Sequence, residues 1–136
     1  REAIQKQANE LGIADRVILL GVVAYAELPL LLATFDLALL PTAPGLFVGA
    51  GRSPMKLGDY AAAGRAILAT RIAGFEALEA EGALALYEPA REGALAEAAI
   101  ALIGAPGRRA EMGKAARRLA VEHLSWDVCI APLIAP

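Results

Sequence analysis

The 136-residue sequence predicts a doubly wound α/β domain built on a parallel sheet. Three observations predict it. Short apolar runs without polar alternation recur at Val17–Leu20, Leu37–Leu40, Ala66–Thr70 and Ala83–Tyr87, the pattern of strands covered on both faces. Between them lie segments whose apolar residues repeat at helical spacing. The stretch Ser53–Gly64 follows a long uncharged loop, 41–51, and runs straight into the third apolar run. Strand, loop, capped helix and strand therefore succeed one another, which is the order of a sheet with helices on its faces.

Each element has its own grounds. Arg1–Leu11 reads as a helix with Ile4, Ala8 and Leu11 on one face and Gly12 as its stop. Asp15-Arg16 leads into the strand Val17–Leu20, closed by Gly21. Glu27–Phe35 is a short helix opened near Pro29. Asp36 stands at the entrance of the second strand and reads as a local backbone hydrogen-bonder rather than a catalyst. Ser53 suits an N-cap and Pro54 the first helical position, where a missing N–H costs nothing. Leu57, Tyr60, Ala61 and Gly64 share the face that packs on the sheet, and Gly64 stops the helix. Gly74–Ala80 is a helix, Ala83–Tyr87 the fourth strand, and Gly93–Ile103 a helix with Leu95, Ala98, Ala99 and Leu102 inward. Gly104–Gly107 is a turn cluster. Arg108–His123 is a helix with Met112, Ala115, Ala116 and Leu119 inward, and with Arg108, Arg109, Lys114, Arg117 and Arg118 mostly on its solvated side. Ser125 caps a last short helix from Trp126, which Pro132 weakens.

Composition excludes several function classes. A net charge of −2 without a basic run argues against nucleic acid as the main partner. One cysteine, Cys129, forms no internal disulfide, which fits a reducing, cytoplasmic compartment. No stretch reads as a spanning helix, because Glu27, Pro29, Asp36, Pro41 and Pro44 interrupt the apolar regions. Peripheral membrane contact through Leu28–Phe47 competes with burial as the reading of those residues. One cysteine and one histidine, His123, make neither a metal cluster nor a nucleophile–base–acid set. No catalytic residue, metal ligand or cofactor is therefore assigned.

The chemistry that does emerge is an anion site. The Ser53 hydroxyl, the backbone N–H groups from Met55 to Leu57, the Lys56 ammonium and the Arg52 guanidinium converge on a helix start. Free N–H groups and the positive end of the helix dipole suit a diphosphate there. The competing reading is a capped helix with Lys56 in solvent.

This stretch, Ser-Pro-Met-Lys-Leu-Gly-Asp-Tyr-Ala-Ala-Ala-Gly, resembles the donor-binding segment of GT-B glycosyltransferases of the glycosyl transferase group 1 (GT4) family. Many members carry Ser-Pro-Leu-Lys-Leu-x-Glu-Tyr-x-Ala-x-Gly, so Met55 stands for a leucine and Asp59 for a glutamate. The likeness runs from about Leu11 to Trp126, through the approach to Gly21, the acid before the second strand and the Ser125-Trp126 pair.

The resemblance implies a Rossmann-like C-terminal half of a GT-B fold that lacks its first two strands. Residues 1–136 would then be a partial nucleotide-sugar-binding domain, without the N-terminal acceptor domain that is its partner in the family. It further implies that Arg52, Ser53, Pro54, Met55 and Lys56 meet the diphosphate of a nucleoside diphosphate sugar, the donor substrate. Asp59 would hold the ribose, and Val22 and Val23, with Ala24, would lie beside the base. The reaction implied is transfer of a hexosyl unit to a glycan, lipid-linked or small-molecule acceptor, with the chain inactive alone. The family's Glu-x7-Glu pair is reduced here to Asp59, because Gly51 holds the first position. The alternative is a non-catalytic nucleotide-binding or partner-binding α/β module. A flavodoxin-like regulatory domain is disfavoured, because Asp15, Asp36 and Asp59 fall at the wrong strand ends. The family strand order would leave a gap of two strands, roughly 14 Å at about 4.8 Å per step, between Val17–Leu20 and the other three; the alternative is collapse, with Val17–Leu20 pairing directly to Leu37–Leu40.

Overall fold

The computed structural model describes residues 1–42 and 55–134. Helices α1 (Glu2–Glu10) and α2 (Leu28–Ala33) precede strand β1 (Ala38–Leu40). Helix α3 (Met55–Ala62), strand β2 (Ile67–Thr70), helix α4 (Glu76–Ala80) and strand β3 (Ala85–Tyr87) alternate after it. Helices α5 (Ala94–Ile103), α6 (Pro106–Leu119) and α7 (Trp126–Ile134) close the chain, with a π turn at Ala120–Leu124. The three strands form one parallel sheet in the order β1-β2-β3. Ala38 pairs with Ile67, and Leu68 with Ala85.

Burial follows the pleat. Successive side chains of a strand point to opposite faces, so the central strand β2 feeds two cores. Ile67 and Ala69 join Ala38, Leu40, Leu57 and Ala61 on one face. Leu68 joins Ala66, Ala85, Leu102 and Met112 on the other. Each fully buried leucine or isoleucine stabilises the fold by about 1.5–3 kcal/mol. Small alanines on β2, α3 and α6 let helix and sheet approach closely. The doubly wound α/β architecture expected from the sequence is therefore present.

Several boundaries differ from expectation. Val17–Leu20 is not a strand. Val17 is extended, at φ −109° and ψ 112°, and the Leu19 carbonyl accepts a 2.6 Å hydrogen bond from the Arg1 guanidinium. No ladder joins this run to β1. The run makes no backbone ladder among the described residues, so apolar composition alone does not make it a strand.

The helix expected from Arg108 starts at Pro106 instead. Proline at the first turn loses no bond, and Gly107 continues the helix. That helix leaves α geometry at Leu119, and its last turn, with His123, is π. The short helix expected after Ser125 runs through Pro132 to Ile134. Gly74 and Gly93 fall just outside α4 and α5, at φ 93° and 75°, values that favour glycine.

Candidate functional site

All three strands are parallel, so their carboxyl ends lie at one edge of the sheet. α3 follows β1, and its first turn belongs to that edge. Ligands of open α/β sheets bind outside the carboxyl ends of the strands. Met55 and Lys56 are exposed there, and Asp59 is half-buried one turn on. Arg52, Ser53 and Pro54, expected beside them, and Gly51, lie outside the described residues. No Lys56–Asp59 ion pair forms among the described residues. The Tyr60 ring packs against Phe35, with ring centroids 6.5 Å apart at 55°. Burial, and then the Asp59 charge, push the Tyr60 phenol above its ordinary value of 10.0.

Val22 and Val23 precede the turn Tyr25–Glu27. Val22 is fully exposed and Val23 half-buried. No hydrogen bond among the described residues joins either to α3.

The edge also carries groups that the sequence did not single out. Thr70 ends β2 and is fully buried. Its hydroxyl accepts the backbone N–H of Thr42 at 2.7 Å and donates to the Tyr87 phenol at 2.8 Å. The three strand ends are thus tied by side-chain bonds as well as by the ladder. Arg71, the next residue, pairs with Glu79 at 3.3 Å and reaches Glu88 at 4.0 Å. A signal for Thr70 was present: it is the one hydroxyl closing an otherwise apolar run.

The opposite edge is basic but already occupied. Arg65 donates to the carbonyls of Ala33, Phe35 and Ala63 at 2.9–3.3 Å. Arg117 donates to Ala62 at 2.5 Å, and Arg109 to Leu102 and Ile103. These carbonyls lie at or just past helix C-termini, where a cation is also favoured electrostatically. Arg109 and Arg117 are therefore not simply solvated, as their helix face suggested. Asp36, expected to bond the local backbone, makes no such bond among the described residues, and its exposed carboxylate faces Arg109 at 3.7 Å.

Two open cavities sit at this edge. One of about 520 Å³ is bordered by Arg65, Lys114, Arg117 and Arg118, and one of about 270 Å³ by Asp36, Arg65 and Arg109. Most of these cations have protein partners, so cavity size does not identify the site, and the carboxyl edge is the better candidate. Among the described residues no three His, Cys, Asp or Glu side chains group as a metal site, and no helix is long and apolar enough to cross a membrane.

A family model described as Glycosyl transferases group 1 matches residues 1–105. The chain belongs to the group 1 glycosyl transferases. No curated protein and no solved structure matches it. The matched part of this glycosyl transferase chain contains the whole sheet and ends at the turn into α6. α6 and α7 lie beyond it, although the likeness of motifs extended to Trp126.

Proposed function

We propose that this chain is the nucleotide-sugar donor-binding part of a GT-B hexosyltransferase of the GT4 type. One observation carries the reading: α3 begins at the carboxyl edge of a parallel sheet with Lys56 exposed and Asp59 one turn behind it. A diphosphate at the helix start meets backbone N–H groups and the Lys56 ammonium, with Arg52 and Ser53 adjacent in sequence. In glycosyl transfer that diphosphate leaves. Positive potential aimed at it stabilises the charge that builds in the transition state. Asp59 accepts from the ribose diol, for which a carboxylate has two acceptor oxygens and no competing donor. Aspartate is one methylene shorter than the family's glutamate, so the nucleotide sits closer to α3 or meets Asp59 through water. Val22 and Val23 complete the reading on the base side. The acceptor site belongs to a partner domain, and the single Cys129 suits a reducing compartment.

The second reading, a nucleotide-binding module without transfer, is favoured by Gly51, which removes the family's other carboxylate. Calorimetric titration tests the donor reading. Hydrogen bonds to a charged group contribute about 1.5–3 kcal/mol, so Asp59→Ala weakens nucleoside diphosphate binding roughly tenfold to a hundredfold. The 2′,3′-dideoxy analogue, with no diol to lose, is weakened far less. Equal losses for the two ligands would refute the ribose role.

A further inference from the structure

The bonds around Thr70 have a direction that geometry and valence fix together. A backbone N–H only donates, so Thr42 occupies one lone pair of the Thr70 oxygen at 2.7 Å. The Thr70 proton is then fully buried, and its partner is the Tyr87 oxygen at 2.8 Å. Were the phenol to donate instead, the buried threonine proton would have no acceptor among the described residues, and a buried donor without an acceptor is unfavourable. Tyr87 is therefore an acceptor toward Thr70, and its own proton is left over. No acceptor for that proton stands among the described residues. The ring itself is held, packed on the core around Leu68 and Leu102. Its backbone carbonyl accepts the Arg71 N–H at 2.9 Å.

We propose that the Tyr87 hydroxyl is a ligand-contacting hydrogen-bond donor at the carboxyl edge, set by Thr70 as its positioning residue, for an oxygen acceptor of the nucleotide sugar. The inference rests on the donor reading above. Three features support it. Tyr87 ends β3 at the edge where α/β sheets take their ligands. Its oxygen lies two hydrogen bonds from the Thr42 nitrogen, at the exit of β1 toward α3. A chain running from N–H to hydroxyl to phenol polarises its last proton, making it a stronger donor. The acceptor oxygen belongs either to the sugar hydroxyls or to the diphosphate, and magnitude separates them. A neutral hydrogen bond corresponds to roughly threefold to tenfold in affinity, and one to an ionised phosphate to tenfold or more.

The test is titration of the 136-residue chain with UDP, GDP, ADP and dTDP and with their glucose conjugates. Tyr87→Phe removes only the hydroxyl and keeps the packed ring. Weakening of the conjugates alone, by threefold to tenfold, assigns the contact to the sugar. Equal weakening of free and conjugated nucleotides, by tenfold or more, assigns it to the diphosphate. Thr70→Val weakens the same ligands, because the phenol loses its orientation, and Thr70→Ser restores them. Thermal melting of each variant separates this from loss of fold. Unchanged affinity in folded Tyr87→Phe overturns the contact while the donor reading stands. Unchanged affinity in Thr70→Val overturns the positioning role. A parent chain that binds none of the eight ligands overturns the donor reading and the contact together.

Discussion

Gly58 and Gly113 both lie inside helices, yet they face opposite environments. A Cβ at Gly58 would meet nothing within 4 Å. Gly58→Ala should therefore stabilise the fold by about 0.5–1 kcal/mol, the backbone entropy that glycine gives up in a helix. A Cβ at Gly113 would press into the Gly64 carbonyl oxygen, which is backbone and cannot swing aside. Gly113→Ala should cost about 1–3 kcal/mol through the overpacking it forces, and differential scanning calorimetry reads both signs. Periodicity revealed Gly64 as a helix stop, because its φ of +65° is a local requirement. It could not reveal Gly113, whose requirement comes from a residue 49 positions away. Tyr60 offers a pH test. Its folded pKa is raised above 10.0 by burial and by the Asp59 charge. The contribution is fully present below the unfolded value and lost as pH rises from about 10 through the folded value. Stability should fall over that alkaline window more steeply in the parent than in Tyr60→Phe, as denaturant midpoints measured from pH 9 upward would show.

Helix ends explain most of the long-range polar bonding. The last carbonyls of α2, α3 and α5 converge on the edge where β1 and β2 begin, and Arg65, Arg109 and Arg117 reach them. Each arginine satisfies acceptors that would otherwise be left open beside a core. Arg65→Met keeps the aliphatic stem but removes three such bonds, so it should destabilise by about 2 kcal/mol. Arg118→Met, at an exposed position with no hydrogen bond among the described residues, should leave the unfolding midpoint unchanged. If Arg118→Met cost as much as Arg65→Met, general surface charge rather than capping would be the cause. The face of α6 was legible from spacing, since Met112, Ala116 and Leu119 are buried as their period requires. The division of labour among its cations was not, because the partners of Arg109 and Arg117 come from other elements. The same distinction separates the apolar runs. β1, β2 and β3 formed where a neighbouring strand exists in the chain. Val17–Leu20 has equal apolar content but pairs with no strand among the described residues, so composition overstated it. At the site, the α3 face and the position of Asp59 were readable from the motif. The bonding of Thr70 and Tyr87 was not, because strands fifteen or more residues apart must first be placed in register.

At the scale of the molecule, the apolar surface is unevenly covered. The two cores on the faces of β2 are closed. The segment ahead of β1 is different: Ile4, Leu11, Ile18, Leu20, Val22 and Tyr25 are all more than half exposed. Among the described residues β1 has a strand on one side only, and its Leu39 is 42 % exposed. An unpaired parallel edge offers open N–H and C=O groups, and exposed aliphatics supply the driving force for another chain to join it. Burying a single exposed leucine or isoleucine side chain gains about 1.5–3 kcal/mol, so a few such contacts exceed the entropy of weak association. The 136-residue chain should therefore associate as its concentration rises through the micromolar range. Sedimentation velocity would show this as a sedimentation coefficient that increases with loading. Replacing Ile18, Leu20 and Val22 together by lysine should shift that transition at least tenfold higher in concentration. The same variant should keep its unfolding midpoint at low concentration, because none of the three belongs to either core. A triple variant that associates like the parent would mean that the β1 edge alone drives assembly, and Leu39→Lys would then be the substitution that abolishes it.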